Sequence, residues 1–363
     1  MEKQHSCIFS FMKMNSRLTL IILLLLFSYQ PFAQISDSLS NYYYYVNQAE
    51  VLITENNFVG AEKKYERAAE YKSDWFAKDY YNRSLLKIKL EQEKELYPIL
   101  AKLIAKGFEL DLLLEKESFQ KYFSTKRGQK DFEKLKSIIP SYNVELRSIY
   151  DSLKVQDSIG QSQFNPEIFS HLVGTIDSSN VYLVLKLMEE YDFPSESKIG
   201  VYGWFELGPI YSILLHYKRH PQYNERYDFT ATVNEAFFEG SIKNYDLFDY
   251  KQTISDNIIN HLGYDIVEWK IVDTLKSTPE KEVYSQIVYT FSNLEDDSYD
   301  AQNLLIGLPT RKDCFKLSKF IWENDSDFMI GSGKKLSQIT RKKRMIQFFI
   351  RNLDQVELDL SKK

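Results

Sequence analysis

Cysteine is almost missing from this chain: two residues in 363, Cys7 and Cys314. With Cys7 in a segment read below as a removable leader, Cys314 has no partner within the chain. A disulfide framework and a Cys-based zinc site are therefore excluded. Long apolar runs are also lacking. The run Leu18–Phe27 spans ten residues, against the roughly 20 that a membrane-spanning helix needs. No single sign of charge dominates, since the formal net charge is −5. That balance is unfavourable for general nucleic-acid binding. Long alternating strands are scarce, which argues against a β architecture. Phosphate and calcium motifs fail as well. Gly331-Ser332-Gly333-Lys334 lacks both the first glycine of a phosphate loop and the Ser/Thr after its lysine. Asp296, Asp297 and Asp300 lack the glycine and distal glutamate of a calcium loop. No motif asks for a cofactor.

What is present suits a folded globular protein: 44% hydrophobic and 27% charged residues. Lys13 and Arg17 precede the apolar run, and Ala33 follows as a small residue for cleavage. Residues 1–33 thus read as a secretory signal peptide, although Pro31 stands where a small residue is expected. The expected destination is the periplasm or the cell exterior, with no stable membrane span after cleavage. Losing this leader leaves a net charge of −7.

Small, aromatic and apolar residues recur with helical spacing from Tyr45 to Leu135. Tyr45, Ala49, Leu52, Phe58, Ala61, Tyr65 and Ala68 predict two helices, Tyr42–Thr54 and Val59–Tyr71, turning at Asn56-Asn57. Asn41 is the expected cap of the first. A shift of 35 residues brings back a weaker copy: Tyr45 maps to Tyr80, Ala49 to Ser84, Tyr65 to Leu100 and Ala68 to Leu103. The pattern resembles the tetratricopeptide repeat, a helical hairpin that stacks to form binding surfaces. Gly107-Phe108, the Leu112–Leu114 segment, and Lys130-Asp131-Phe132 resemble the tail that closes short arrays of this kind. Gly107 is the expected left-handed residue ending a helix. The resemblance implies a groove along the first helices, with Tyr45, Gln48, Tyr80 and Tyr81 as contact candidates for a protein or peptide partner. Two repeats are few for an independent solenoid, so the module is expected to lean on the helices after Pro140.

Beyond Pro140 the chain reads as further helices: Val144–Ser158, a start at Asp177-Ser178-Ser179 leading into Val181–Tyr191, Pro209–Tyr217 and Glu225–Glu239. A loop is expected at Gly160–Pro166 and another at Ile199–Trp204. The succession Asp151, Asp157, Asp177-x-x-Asn180, Phe193-Pro194 and a helix reaching His216 resembles a bacterial family known only as a domain of unknown function. The Arg expected after Asp157 and the Gly expected before Phe193 are both missing. The resemblance carries no known activity. It does group Asp157, Asp177 and His216, with Asp151 nearby, as a candidate acid–base set. His216 and His220 lie four apart, yet Tyr217-Lys218-Arg219 between them and the lack of a neighbouring Glu argue against a metal. After residue 263, Lys281–Leu294, Ala301–Leu308, Asp313–Glu323 and Lys335–Leu353 read as helices, the last amphipathic. Ile287–Phe291 fits a strand equally well. Lys334 to Arg344 form a basic patch read as a solvated helix face.

The expected architecture is mainly α: a short tetratricopeptide-like hairpin array at 34–140, a helical domain at 141–263 and an α-helical extension at 264–363. The expected role is a non-enzymatic interaction module. The alternatives are an envelope-acting hydrolase using His216 with Asp157 or Asp177, and a glycan binder using the aromatics that make up 15% of the chain.

Overall fold

The computed structural model describes residues 36–163, 166–205, 208–218, 229–243, 268–271 and 285–288. It also describes residues 304, 307–310, 313, 316, 317, 320 and 326–331. The chain divides into two units, Met1–Gln34 and Ile35–Lys363, and every described residue belongs to the second. The leader, His220, the basic patch and the Lys335–Leu353 helix lie outside the described residues.

The protein is mainly helical. Helix α1 (Asp37–Thr54) and α2 (Phe58–Ala69) form one hairpin, and α3 (Ala77–Lys89) and α4 (Leu96–Ala105) a second. Short helices α5 (Leu110–Leu113), α6 (Glu117–Phe123) and α7 (Lys126–Leu135) close this half. The long helices α8 (Val144–Gln163) and α9 (Pro166–Tyr191) follow, then the single turn α10 (Glu196–Ile199), α11 (Pro209–Lys218) and α12 (Thr230–Phe238). α8, α9 and α11 pack on one another as a three-helix bundle. Among the described residues, no helix is long and apolar enough to cross a membrane.

The hairpins follow from the spacing of small and aromatic residues. Ala49, Ala61, Tyr65 and Ala68 are fully buried between α1 and α2, and Ser84, Leu96, Leu100 and Leu103 are buried in the second hairpin. Alanine lets the helix axes approach, and the tyrosine rings fill the space left over. Asn56 takes the left-handed turn at φ 57°. The Asn57 side chain accepts from the Gly60 amide at 3.0 Å and caps α2. Gly107, at φ +89°, ends α4 as expected, with its amide on the Ile104 carbonyl at 2.8 Å.

Three local readings are corrected. α1 starts at Asp37, because Ser36 rather than Asn41 caps it: the Ser36 hydroxyl accepts from the Leu39 amide at 3.2 Å. α9 runs unbroken through Asp177, so Asp177-Ser178-Ser179 is helix interior and not a helix start; of the stretch read as a loop, residues 160–163 end α8 and Pro166 begins α9. Ser179 bonds back to the Thr175 carbonyl at 2.9 Å, the way a serine is tolerated inside a helix. Burial of Asp177 and Asn180 against the bundle overrides their capping preference. Of the helix and strand readings left open around Ile287, the strand holds over Ser285–Val288. It pairs antiparallel with Glu268–Ile271, Glu268 facing Val288. The β-branched pair Ile287-Val288 suits that pairing.

A seam joins the hairpins to the bundle. Phe108 stacks on Phe205 with ring centroids 5.0 Å apart, and Tyr81 meets both Trp204 and Phe205 edge-on. The Val201 amide donates to the Lys106 carbonyl at 2.9 Å. Arg147, on α8, donates to the Ile199 and Val201 carbonyls at 2.9 Å each while its guanidinium lies 3.5 Å from the centre of the Tyr202 ring.

Within the first hairpins, the Tyr42 hydroxyl donates to the buried Asp79 carboxylate. Burial pushes the Asp79 carboxyl up to about 6, against the opposing effects of Lys78 and the Tyr42 hydrogen bond. An acid raised on folding stabilises the fold while protonated. Its contribution is complete below about pH 4 and is lost as pH rises through about 6. Asp79→Asn is expected to raise stability at pH 8 relative to the parent and to leave it nearly unchanged at pH 4. Urea unfolding at the two pH values checks this, and an equal effect at both would refute it.

Candidate functional site

On α1, Tyr43, Asn47 and Glu50 follow the i, i+4, i+7 spacing of one helix face; on α3, Lys78 and Asn82 share a face, with Tyr81 beside them. All six are buried, Glu50 completely. Buried polar groups need partners, and here the partners come from the far end of the chain.

Segment 326–331, which belongs to no helix or strand, lies against α1 and α3. The Asn82 side-chain amide donates to the Met329 carbonyl at 2.8 Å, and its oxygen accepts from the Met329 amide at 2.9 Å. One carboxylate oxygen of Glu50 accepts from Lys78 at 2.5 Å, and the other accepts from the Gly331 amide at 2.8 Å. Lys78 also donates to the Gly331 carbonyl at 2.8 Å. The ion pair and the glycine main chain thus close one ring. The Tyr81 hydroxyl donates to the Asp327 carbonyl at 2.7 Å, and the Asp327 carboxylate accepts from the Ser118 amide at 3.1 Å.

Neighbouring parts of the chain complete the face. Asn47 donates to the Gly307 carbonyl at 2.7 Å and Tyr43 to the Ile242 carbonyl at 2.8 Å. Gly307 has φ +71°, and a Cβ there would stand 2.6 Å from the Cβ of Tyr43, so only glycine fits. Lys316 pairs with Glu55 at 2.7 Å on the exposed rim. Chemically, the face satisfies peptide N–H and C=O groups.

Of the four contact candidates read from the sequence, Tyr81 meets the segment. Tyr80 is buried instead against Trp75, with rings 5.5 Å apart. Tyr45 stacks on Tyr71 at 5.6 Å, with Lys64 and Arg67 over its ring. Gln48 is half-buried. Asn47, Glu50, Lys78 and Asn82 were not among the candidates; the available signal was polar residues at helical spacing. In the tyrosine run that opens α1, Tyr42 and Tyr43 are core residues and Tyr44 is exposed.

The acid–base candidates fall on the bundle. Asp157 on α8 and Asp177 on α9 are 1% and 0% exposed, with Asn180 buried beside Asp177 in sequence. The helix that carries His216 packs on both α8 and α9. The His216 side chain lies outside the described residues. Asp151 is half-exposed and pairs with Arg147 at 3.3 Å, away from the buried side of α8 that holds Asp157. Among the described residues, no group of three or more His, Cys, Asp or Glu could hold a metal ion.

Compared with known proteins, the chain matches no family model, no curated protein and no solved structure.

Two substitutions test the face. Lys78→Met leaves a buried carboxylate without its cation and is expected to cost about 3–5 kcal/mol. Asn82→Ala orphans both main-chain groups of Met329 and is expected to cost about 2 kcal/mol. Urea unfolding at pH 7 measures both. A loss below about 1 kcal/mol for Lys78→Met would show that the pair does not hold the face together.

Proposed function

We propose that this protein is an exported, non-enzymatic interaction module built on tetratricopeptide-like helical hairpins, and that the α1/α3 face is its peptide-binding groove. The observation that supports the reading is the two-way pairing of the Asn82 carboxamide with the Met329 main chain, beside the Glu50–Lys78 pair on Gly331. Side chains arranged to satisfy main-chain donors and acceptors recognise a peptide largely independently of its sequence. Relative to the first expectation, the contact set keeps Tyr81 and gains Asn47, Glu50, Lys78 and Asn82. Export to the periplasm or beyond is supported by the basic-then-apolar leader at residues 1–33.

A hydrolase acting on envelope components stands as a second reading. Its support is that Asp157, Asp177 and the helix bearing His216 belong to one bundle. Against it, both carboxylates are closed off from water, whereas a general acid or base must reach its substrate.

Lysine-directed cross-linking of the full chain in the exported fraction separates the two. The groove reading expects partner cross-links at Lys89, on the same stripe of α3 as Lys78 and Asn82, and at Lys316 on the rim. Cross-links confined to Lys154 and Lys186 of the bundle would defeat it.

A further inference from the structure

The groove is filled by the chain's own segment, and the manner of filling bears on how the groove is used. Apart from the Asp327 carboxylate on Ser118, the described hydrogen bonds from the hairpins to this segment all engage its main chain. Two side chains anchor it. Phe328 is buried and stacks on Phe58 at 5.9 Å, and Ile330 is buried almost completely. Gly331 adopts φ +59°, which favours glycine. Ala49, Ala61, Tyr65 and Ala68 are buried where α1 packs on α2, elements adjacent in sequence, and Phe328 and Ile330 join the same core from far along the chain. The segment reaches Glu50 across 281 positions and contributes no helix or strand.

We infer that Asp327-Phe328-Met329-Ile330-Gly331 is a built-in ligand that keeps the groove closed, and that the groove opens to a partner segment of the same chemistry. This rests on the groove reading above. The partner segment carries an acidic residue, then an aromatic, a half-buried apolar residue as at Met329, an aliphatic residue and a glycine. The physical argument is competition. A main-chain reader offers identical hydrogen bonds to any peptide, so selectivity comes from the Phe328 and Ile330 sites and the Asp327 contact. An intramolecular ligand holds the advantage of high effective concentration. The free chain is therefore self-occupied, and weakening the tethered ligand exposes the site.

The test uses a fluorescent peptide of residues 324–333 and three full-length proteins: parent, Phe328→Ala/Ile330→Ala, and Met329→Pro. The proline removes the amide that donates to Asn82 and leaves every groove residue untouched. Expected is saturable binding by both variants, at least about tenfold tighter than by the parent, as the tethered competitor is lost. Adding Asn82→Ala should abolish it. Helical content by circular dichroism accompanies each titration. If the double variant loses its helices, Met329→Pro decides. Both variants unfolding, or a folded variant binding no better than the parent, would make the segment part of the core and overturn the inference. Partner cross-links at Lys89 and Lys316 would stand or fall separately, so failure of the closed-groove inference is distinguishable from failure of the groove itself.

Discussion

The buried ion pair between Glu50 and Lys78 is the constraint around which the N-terminal half is organised. Each partner sits on a different hairpin, so the pair fixes α1 against α3. Taking two charges out of water is costly, and their mutual attraction offsets the cost only when the remaining donors and acceptors are also satisfied. Here the main chain of Gly331 supplies the missing partners, its amide to Glu50 and its carbonyl to Lys78. The ion pair and the main chain of Gly331 thus complete one another's hydrogen bonding, which holds the segment in register. Asn82 repeats the arrangement two residues earlier along the segment, at Met329.

Polar pairing of this kind specifies geometry more than it adds stability. The bulk of the driving force lies in apolar burial: the alanine and tyrosine contacts of the hairpins and the aromatic seam of Tyr81, Phe108, Trp204 and Phe205. Tyr81 belongs to both systems. Its ring packs in the seam and its hydroxyl donates to the Asp327 carbonyl. One residue therefore couples the packing of the hairpins on the bundle to the segment lying on α1 and α3.

Much of the hairpin architecture was legible in the sequence because it is local. Ala49, Ala61, Tyr65 and Gly107 act on neighbours within a few turns, and helical spacing records such contacts directly. Where tertiary contacts decide, the local reading failed. Asp177, Ser178 and Ser179 look like a helix start, yet burial in the bundle keeps α9 continuous. Ile287-Val288 could serve a helix or a strand, and only pairing with Glu268–Ile271 settles it. The α1/α3 face was the least legible part. Tyr45, Gln48 and Tyr80 follow from the surface that the tetratricopeptide resemblance implies, whereas the α1/α3 face is completed by a segment more than 240 residues away. No periodicity in α1 or α3 encodes that partner. In the sequence Gly331 stands only within an incomplete phosphate motif, while its left-handed backbone and its place beside Glu50 depend on long-range contacts.

Hydrogen exchange of the Gly331 amide tests the central claim most directly, because that amide is bonded only if the segment sits on the ion pair. The account predicts exchange slowed by roughly a hundredfold or more in the parent protein, as expected for a buried, bonded amide. It also predicts that Lys78→Met removes this protection while the amides of α8 keep theirs. Exchange of the Gly331 amide at the rate of a free peptide in the parent protein would contradict the account.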